Sequence, residues 1–407
     1  MVEYINPNIV PPSLIRELDA MAQEIARKGK DIINLSIGQN ELYDPHRLLE
    51  AVVNRIGHEP LRYELTLGSP ETRENIANFY NRFYSLKTPL TSQNIIVTDG
   101  GFGGIRNAIV SIARDGDILL IDRFSFRYIL QISDIFDKKL RKIVLKTSPD
   151  EQFIPKNGYL NEKISDLKKK YPDKRIIYYT HWGFNPTGLC RKGKNLKDLV
   201  EIIEDNKAFL INDIVYHLLS HDDYGVPLAS DYASEGTGIV DIDSLAKPLS
   251  LMGARAGALI TRDLDLIKAA KIVQQYTVVA PNTFAARLWD EVTTNFDSYY
   301  PDIQEINKLL YRNKVLIRDE LKNNDHIGLF GNPEIGIYAF LELKNSVNAT
   351  DFAKKLIEQV GVVVVPGVAF AEPNDSMAEK YLRMVVSHKT SVIKEAIERI
   401  LSVMEDN

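Results

Sequence analysis

A single lysine, Lys247, stands in the run S-L-A-K-P-L-S-L-M-G-A-R-A-G between Ser244 and Gly257, with Arg255 eight positions on. The preceding apolar residues Ile239, Val240 and Ile242 predict a buried strand that ends at Ser244. Lys247 therefore leaves a strand end and not a solvated face. Loss of solvent at such a place favours an uncharged amine, which can condense with a carbonyl to form a Schiff base. Arg255 follows Gly253, whose backbone freedom allows a tight turn, so its guanidinium can return to the same place and hold a phosphate by its two-pronged donor face. A lysine for a carbonyl and an arginine for a phosphate suggest a phosphorylated aldehyde. The spacing alone is also that of any polar loop with a lysine and an arginine, so the rest of the chain must discriminate.

The elements that would position these residues can be read along the 407-residue chain. Single cores seldom grow past about 250 to 300 residues, so two domains are expected. A 44% hydrophobic and 26% charged composition is that of an ordinary globular protein, and a net charge of −5 argues against a nucleic-acid surface. The one cysteine, Cys190, excludes an internal disulfide and fits a reducing compartment. The start carries no basic segment followed by an apolar one, and nowhere do about 18 consecutive apolar residues occur. A cytoplasmic protein without a membrane span is expected.

Pro7, Pro11 and Pro12 predict an extended arm over residues 1–12. Ser13 suits an N-cap, Leu14, Leu18, Met21 and Ile25 recur at helical spacing, and Gly29 suits the stop. A strand is expected from Ile32 to Gly38, and others over Ile95–Val97, Ile118–Ile121, Arg175–Thr180 and Phe209–Ile211. Helices are expected over Glu162–Lys170 and from Tyr300 to Lys322. The C-terminal part reads as I-G-I-Y-A-F-L-E-L, a helix from Ala349 to Gln359, V-V-V-V-P-G, L-R-M-V-V and a closing helix from Ser391. No internal repeat or low-complexity tract interrupts it.

Several turns carry chemistry-bearing residues. T-D-G-G-F-G-G follows a strand and opens a helix, so its backbone N–H groups can receive a phosphate. A dinucleotide fingerprint starting at Gly101 fails, because it would need glycine where Arg106 stands. H-W-G-F-N-P-T-G reads locally as a proline turn. N-D-I-V-Y places Asp213 and Tyr216 at a strand end, and Y-L-R-M-V-V places Arg383 among apolar neighbours, where an unpaired charge is costly.

Taken in order, Y-x4-G-x4-R from Tyr63, the glycine-rich turn, N-P-T-G, D-x-x-Y, S-x-A-K and G-x-R-x-G resemble the segments of fold type I pyridoxal-phosphate enzymes, in particular the class I/II aminotransferases. The match runs from about Leu35 to Val386. The resemblance implies an α/β fold: a large domain, residues 46–290, with a mostly parallel seven-stranded sheet flanked by helices, and a smaller α+β domain, residues 13–45 and 291–407. It implies pyridoxal 5'-phosphate as cofactor, with Lys247 as its covalent anchor and general acid/base. The backbone of Gly101 and Phe102, with Ser244 and Arg255, would hold its phosphate, and Tyr63 would reach the phosphate of the partner in a homodimer. Phe126, in preference to Tyr128, would stack on the ring. Asp213 would hold a proton on the ring nitrogen, and Asn185 and Tyr216 would share the ring oxygen. Gly38, Asn185 and Arg383 would bind substrate, Arg383 through the α-carboxylate.

The implied activity is transfer of an amino group between an α-amino acid and a 2-oxo acid, with no metal. The same residues could serve elimination, side-chain replacement, cyclisation or oxidation at the α-carbanion. His181 and Trp182 stand where the family has an asparagine-rich lead-in, which raises that rival and points to an altered pocket beside the ring. A cofactor-sensing domain of a transcription regulator is disfavoured, because no DNA-binding domain fits before residue 13.

Overall fold

The computed structural model describes residues 13–57, 61–344 and 347–405. The expected arm over residues 1–12 lies outside them. The largest sheet has seven strands in the order Ile95–Asp99, Ala256–Thr261, Ile239–Ser244, Phe209–Asp213, Ile176–His181, Ile118–Ile121 and Arg141–Val144. Ala256–Thr261 runs antiparallel to both neighbours, and every other pairing is parallel. Helices cover both faces, which is why strands such as I-L-L-I and I-I-Y-Y read as unbroken apolar runs. Where such a run ends in polar residues, as at Asp213, His181 and Ser244, the chain has reached the carboxyl edge of the sheet, the place where open α/β sheets bind ligands.

A four-stranded antiparallel sheet, in the order Val365–Pro366, Tyr381–Val385, Tyr338–Leu343 and Ile327–Leu329, forms the second layer. A short parallel pair, Ile33–Asn34 with Val362–Val363, ties the beginning of the chain to its end. The helix Leu14–Arg27 buries Leu18 and Ala22 against Ile357 and Val363, so it too belongs with the C-terminal elements.

Three elements differ from expectation, each for a local reason. The strand expected over 32–38 is only Ile33–Asn34. Beyond it the Ser36 N–H turns to Asn34 Oδ1 at 3.0 Å and the Gln39 N–H to the Ile37 carbonyl at 2.7 Å, which bends the segment into the cavity described below. The helix expected from Glu162 begins at Asn157, because Leu160 already belongs to the buried stripe of Ile164 and Leu167. The helix expected from Tyr300 begins at Phe296, where buried Phe296 and Tyr299 anchor an extra turn ahead of Pro301. Among the described residues, no helix is long and apolar enough to cross a membrane.

Candidate active site

Eleven of the twelve residues singled out in the sequence line one cavity of about 510 Å³: Gly38, Gly101, Phe102, Phe126, Asn185, Asp213, Tyr216, Ser244, Lys247, Arg255 and Arg383. Tyr63 is not among its walls and stands 90% exposed. The cavity lies at the carboxyl edge of the seven-stranded sheet, with the four-stranded sheet contributing Tyr338 and Arg383 from the other side.

The floor is built from strand ends. Asp213 closes Phe209–Asp213 and is buried; its carboxylate accepts the Tyr179 hydroxyl at 3.1 Å and the Val215 N–H at 3.3 Å. Burial pushes its pKa up to about 6, against the pull of those two donors. His181 closes the adjacent strand, and burial pushes its imidazole down to about 3. Its neighbour Trp182, expected with it to alter the pocket, is buried but does not line the cavity.

Lys247 sits in the turn after Ile239–Ser244, half-buried, and donates from Nζ to the Gly38 carbonyl at 2.7 Å. That turn is pinned by Asn40, whose Nδ2 reaches the carbonyls of Lys247 at 3.1 Å and Pro248 at 3.3 Å. Gly38 has a steric reason to be glycine: a Cβ there would overlap the Tyr338 hydroxyl and sit 3.4 Å from Lys247 Nζ. It is close approach, not a turn with positive φ, that requires it.

Arg383 lies in Tyr381–Val385, only 2% exposed. It donates from Nη1 to Asn185 Oδ1 at 3.2 Å and from Nη2 to the Ser36 carbonyl, while its Nε has no partner. The rings of Tyr338 and Phe370 flank the guanidinium at 4.5 and 4.7 Å. Burial lowers its pKa, and only tyrosine hydroxyls pull the other way. Tyr216 is buried with its hydroxyl 2.9 Å from that of Tyr338.

The opposite end is a rim. The helix Gly100–Ile112 opens with its first-turn N–H groups uncapped by any side chain, and Gly101 and Phe102 belong to that turn. Ser244 Oγ donates to the Ala256 carbonyl at 2.9 Å beside it. Arg255 is exposed, held by the carbonyls of Met252 at 3.1 Å and Asp99 at 3.4 Å. The turn expected from Gly253 is made otherwise: Arg255 itself takes φ +57°, and Gly253 is not in the left-handed region. Gly100 has φ +75°, and a Cβ there would meet the Arg255 guanidinium at 2.8 Å. Phe126 and Tyr128 stack on each other at 4.6 Å, so both rings face the cavity and neither excludes the other.

Sequence reasoning missed Tyr338, Tyr179, Ser36 and Asn40. Tyr179 reads as one more apolar position of a buried strand, and Tyr338 as one more aromatic in I-G-I-Y-A-F. Neither position carries a local signal of chemistry. Ile15 and Arg16, from the first turn of Leu14–Arg27, were also unforeseen at the cavity mouth, where Tyr128 donates to Ser13 Oγ at 2.9 Å.

Comparison with known proteins agrees with this geometry. The model of the family "Aminotransferase class I and II" matches residues 30–400. Aspartate aminotransferase of Pyrococcus horikoshii is 26% identical over 399 residues, 98% of this chain and 96% of its own. LL-diaminopimelate aminotransferase of Natranaerobius thermophilus is 25% identical over 402 residues, 97% of each chain. The solved aspartate aminotransferase of Thermus thermophilus with maleate superposes with a TM-score of 0.85 at 22% identity, over 99% of this chain and 100% of that one. The chain belongs to the class I and II aminotransferases, a family whose membership implies pyridoxal 5'-phosphate as cofactor and transfer of an amino group as the activity.

Proposed function

We propose that the cavity holds pyridoxal 5'-phosphate through Lys247 and exchanges an amino group between an α-amino acid and a 2-oxo acid bound to Arg383. The observation that carries the reading is the Arg383 guanidinium: buried, without a carboxylate partner or a partner for its Nε among the described residues, in the same cavity as the Lys247 amine. A charge left so incompletely paired in a low-dielectric wall is costly unless a ligand carboxylate completes it.

The residues present suit the cofactor. Lys247 supplies an amine for its aldehyde, the first-turn amides of Gly101 and Phe102 and the Arg255 guanidinium supply donors for its phosphate, and Ser244 Oγ would join them by turning its one proton from the Ala256 carbonyl. Bound there, pyridoxal phosphate supplies an electron sink for the pair released at the substrate α-carbon. Asp213 holds a proton at the ring nitrogen, and Asn185 and Tyr216 donate to the ring oxygen. Phe126 covers one face and keeps water from it. Gly38 leaves room beside Lys247 for the substrate. Arg383 orients the α-carboxylate, and Lys247 carries the proton from the α-carbon as general acid/base.

The working unit in this reading is a homodimer, in which Tyr63 donates to the partner's phosphate site. Tyr63 is fully outside its own cavity, and it sits in an apolar strip with exposed Leu61 and Leu65. The Thr283 hydroxyl donates to the Arg62 carbonyl at 2.8 Å, which ties this strip to the start of the helix Thr283–Thr294. Exposed apolar side chains recurring at Leu61, Tyr63 and Leu65 suit a two-fold contact. The division into residues 46–290 and residues 13–45 with 291–407, and a cytoplasmic location, belong to the same reading.

The experiment is to reconstitute the protein with pyridoxal phosphate and incubate it with a panel of amino acids, with and without a 2-oxo acid, identifying products by mass. Transamination predicts a 2-oxo acid product whose yield is limited to one equivalent unless a second 2-oxo acid is added. Catalytic release of eliminated, cyclised or oxidised product without that addition would replace the aminotransfer reading by its rival.

A further inference from the structure

His181 is buried, borders the cavity and has no part in the chemistry proposed above. It is 1% exposed and ends the strand Ile176–His181 next to the strand that delivers Asp213. Its two ring nitrogens face different groups, and those groups fix where its proton can be.

Nε2 lies 3.3 Å from the backbone nitrogen of Phe126, which donates to it, and 3.2 Å from Ser125 Oγ. A backbone N–H can only donate, so Nε2 must present its lone pair and cannot carry a proton. In the neutral ring the proton then sits on Nδ1. Burial keeps the ring neutral by lowering its pKa to about 3. Nδ1 lies 3.7 Å from Asp213 Oδ2, and the ring sits between Tyr179, edge-on at 4.9 Å, and Phe184, tilted at 6.2 Å. At 3.7 Å the contact is longer than a hydrogen bond, yet a polar N–H beside a carboxylate acts more strongly where water is absent than it would in solvent.

We propose that His181 is a positioning residue: a neutral imidazole of fixed tautomer, locked by the Phe126 N–H on Nε2, that turns its Nδ1–H on Asp213 and keeps that carboxylate charged and oriented toward the cofactor ring nitrogen. The proposal rests on the role of Asp213 in the reading above. Asp213 accepts from the Tyr179 hydroxyl and the Val215 N–H, which oppose the tendency of burial to neutralise it, and His181 Nδ1 stands 3.7 Å from its Oδ2 as a third polar neighbour. One imidazole thereby joins the aromatic wall at Phe126 to the carboxylate on the floor.

The tautomer is read directly in the apoenzyme, independently of any reaction. Nitrogen-15 NMR of histidine-labelled protein, with His181 assigned by its loss in His181→Phe, should show an Nδ1–H tautomer that persists from neutral pH down to about pH 4.5. An Nε2–H tautomer, or a ring that titrates near its ordinary value, overturns the proposal. The function is read by variants of the holoenzyme. His181→Phe, which keeps the bulk and loses the donor, should lower kcat about tenfold with little change in KM, the size expected if the carboxylate loses about one pKa unit of preference for its charged form. His181→Asn, whose amide N–H can take the place of Nδ1–H, should recover most of it. In an Asp213→Asn background His181→Phe should add almost nothing, because the two residues act in series. An equal loss in that background assigns His181 a packing role and overturns the proposal. Absence of amino-acid turnover in the unaltered enzyme would count against the aminotransferase reading and leave the tautomer measurement to decide this one.

Discussion

The two ends of the cavity are built in opposite ways. On the floor, Asp213, Asn185, Tyr216, His181 and Arg383 are all buried, and each polar head except the Arg383 Nε faces a partner from the same chain. At the rim, Arg255 is exposed, Phe102 is 38% exposed and the first-turn amides of Gly100–Ile112 have no side-chain cap. Buried polar groups must be satisfied as the chain folds, so the floor is fixed before any ligand arrives. The rim leaves donors free at a helix terminus, where solvent can satisfy them until a phosphate does. In the function proposed above, one chain supplies the ring and carboxylate contacts from its buried floor and leaves the phosphate donors at its rim open, while its own Tyr63 stands outside the cavity.

The sharpest break in that comparison is at the residue that stands between the two ends. Lys247→Ala removes the amine while leaving both the floor donors and the rim donors in place. Turnover should fall by roughly 10² to 10⁴ or more, since general acid/base catalysis alone contributes that much. Borohydride reduction of the unaltered enzyme followed by peptide mapping should put a pyridoxyl group on Lys247, and a label on another lysine would falsify the anchor.

Arg383→Lys tests the floor alone. A lysine keeps the charge but cannot bridge Asn185, the Ser36 carbonyl and a substrate carboxylate with one planar fork. Amino-acid kcat/KM should drop about tenfold or more, on the basis of about 1.5 to 3 kcal/mol per charged hydrogen bond, with cofactor affinity at the rim unchanged. If decarboxylated amines react as well as their parent amino acids in the unaltered enzyme, the carboxylate role is wrong.

The same contrast governs how much the sequence disclosed. Residues at the ends of parallel strands were legible, because a covered sheet writes each strand as an apolar run and the polar residue that closes it stands out, as Asp213 and Ser244 do. The seven-stranded sheet and the smaller α+β domain came from the resemblance to the family, not from the order of those runs. What stayed hidden depends on contacts between distant segments: Ile33 pairs with Val362, and Tyr338 meets Tyr216, without any local pattern at either end. The left-handed backbone of Arg255 was assigned to Gly253, because glycine is the usual residue there and only the packed loop reveals the exception. His181 was visible as a departure from the family's pattern, but its orientation between Phe126 and Asp213 is a tertiary fact.

The buried floor should also mark the apoenzyme's stability against pH. Unfolded His181 takes up a proton as pH falls through its ordinary value of 6.5, whereas the folded ring, lowered to about 3, does not, so its contribution to stability is lost as pH falls between those values. Asp213 works the other way: raised from 3.8 to about 6, its folded carboxyl binds a proton that the unfolded one releases, and stability is gained as pH falls across that window. Asp122, also raised to about 6 by burial, adds to that gain. Compared with His181→Asn, the unaltered apoenzyme should lose up to about 1.4 kcal/mol per pH unit below pH 6.5 in urea unfolding. Parallel stability curves for the two proteins would mean that the ring is charged in the folded state.

The rim carries the smallest single effect and the most distinctive test. Tyr63→Phe deletes one hydroxyl from a side chain that is 90% exposed and outside the cavity of its own chain, so a monomeric reading predicts no change in cofactor affinity. If the hydroxyl donates to the phosphate of a partner, the affinity should fall a few-fold, the worth of one hydrogen bond of about 0.5 to 1.5 kcal/mol. Mixing separates the two readings further. A Lys247→Ala chain lacks its anchor but carries an intact Tyr63, and a Tyr63→Phe chain has its anchor but an impaired tyrosine. Hybrids of the two contain one site with both groups intact, so re-equilibrated mixtures should show, per competent lysine, the cofactor affinity of the unaltered enzyme in part of the population. A mixture whose Lys247-bearing sites all retain the weakened affinity of Tyr63→Phe would place Tyr63 in its own chain's rim or nowhere near the phosphate, and the open end of the cavity would then need another explanation.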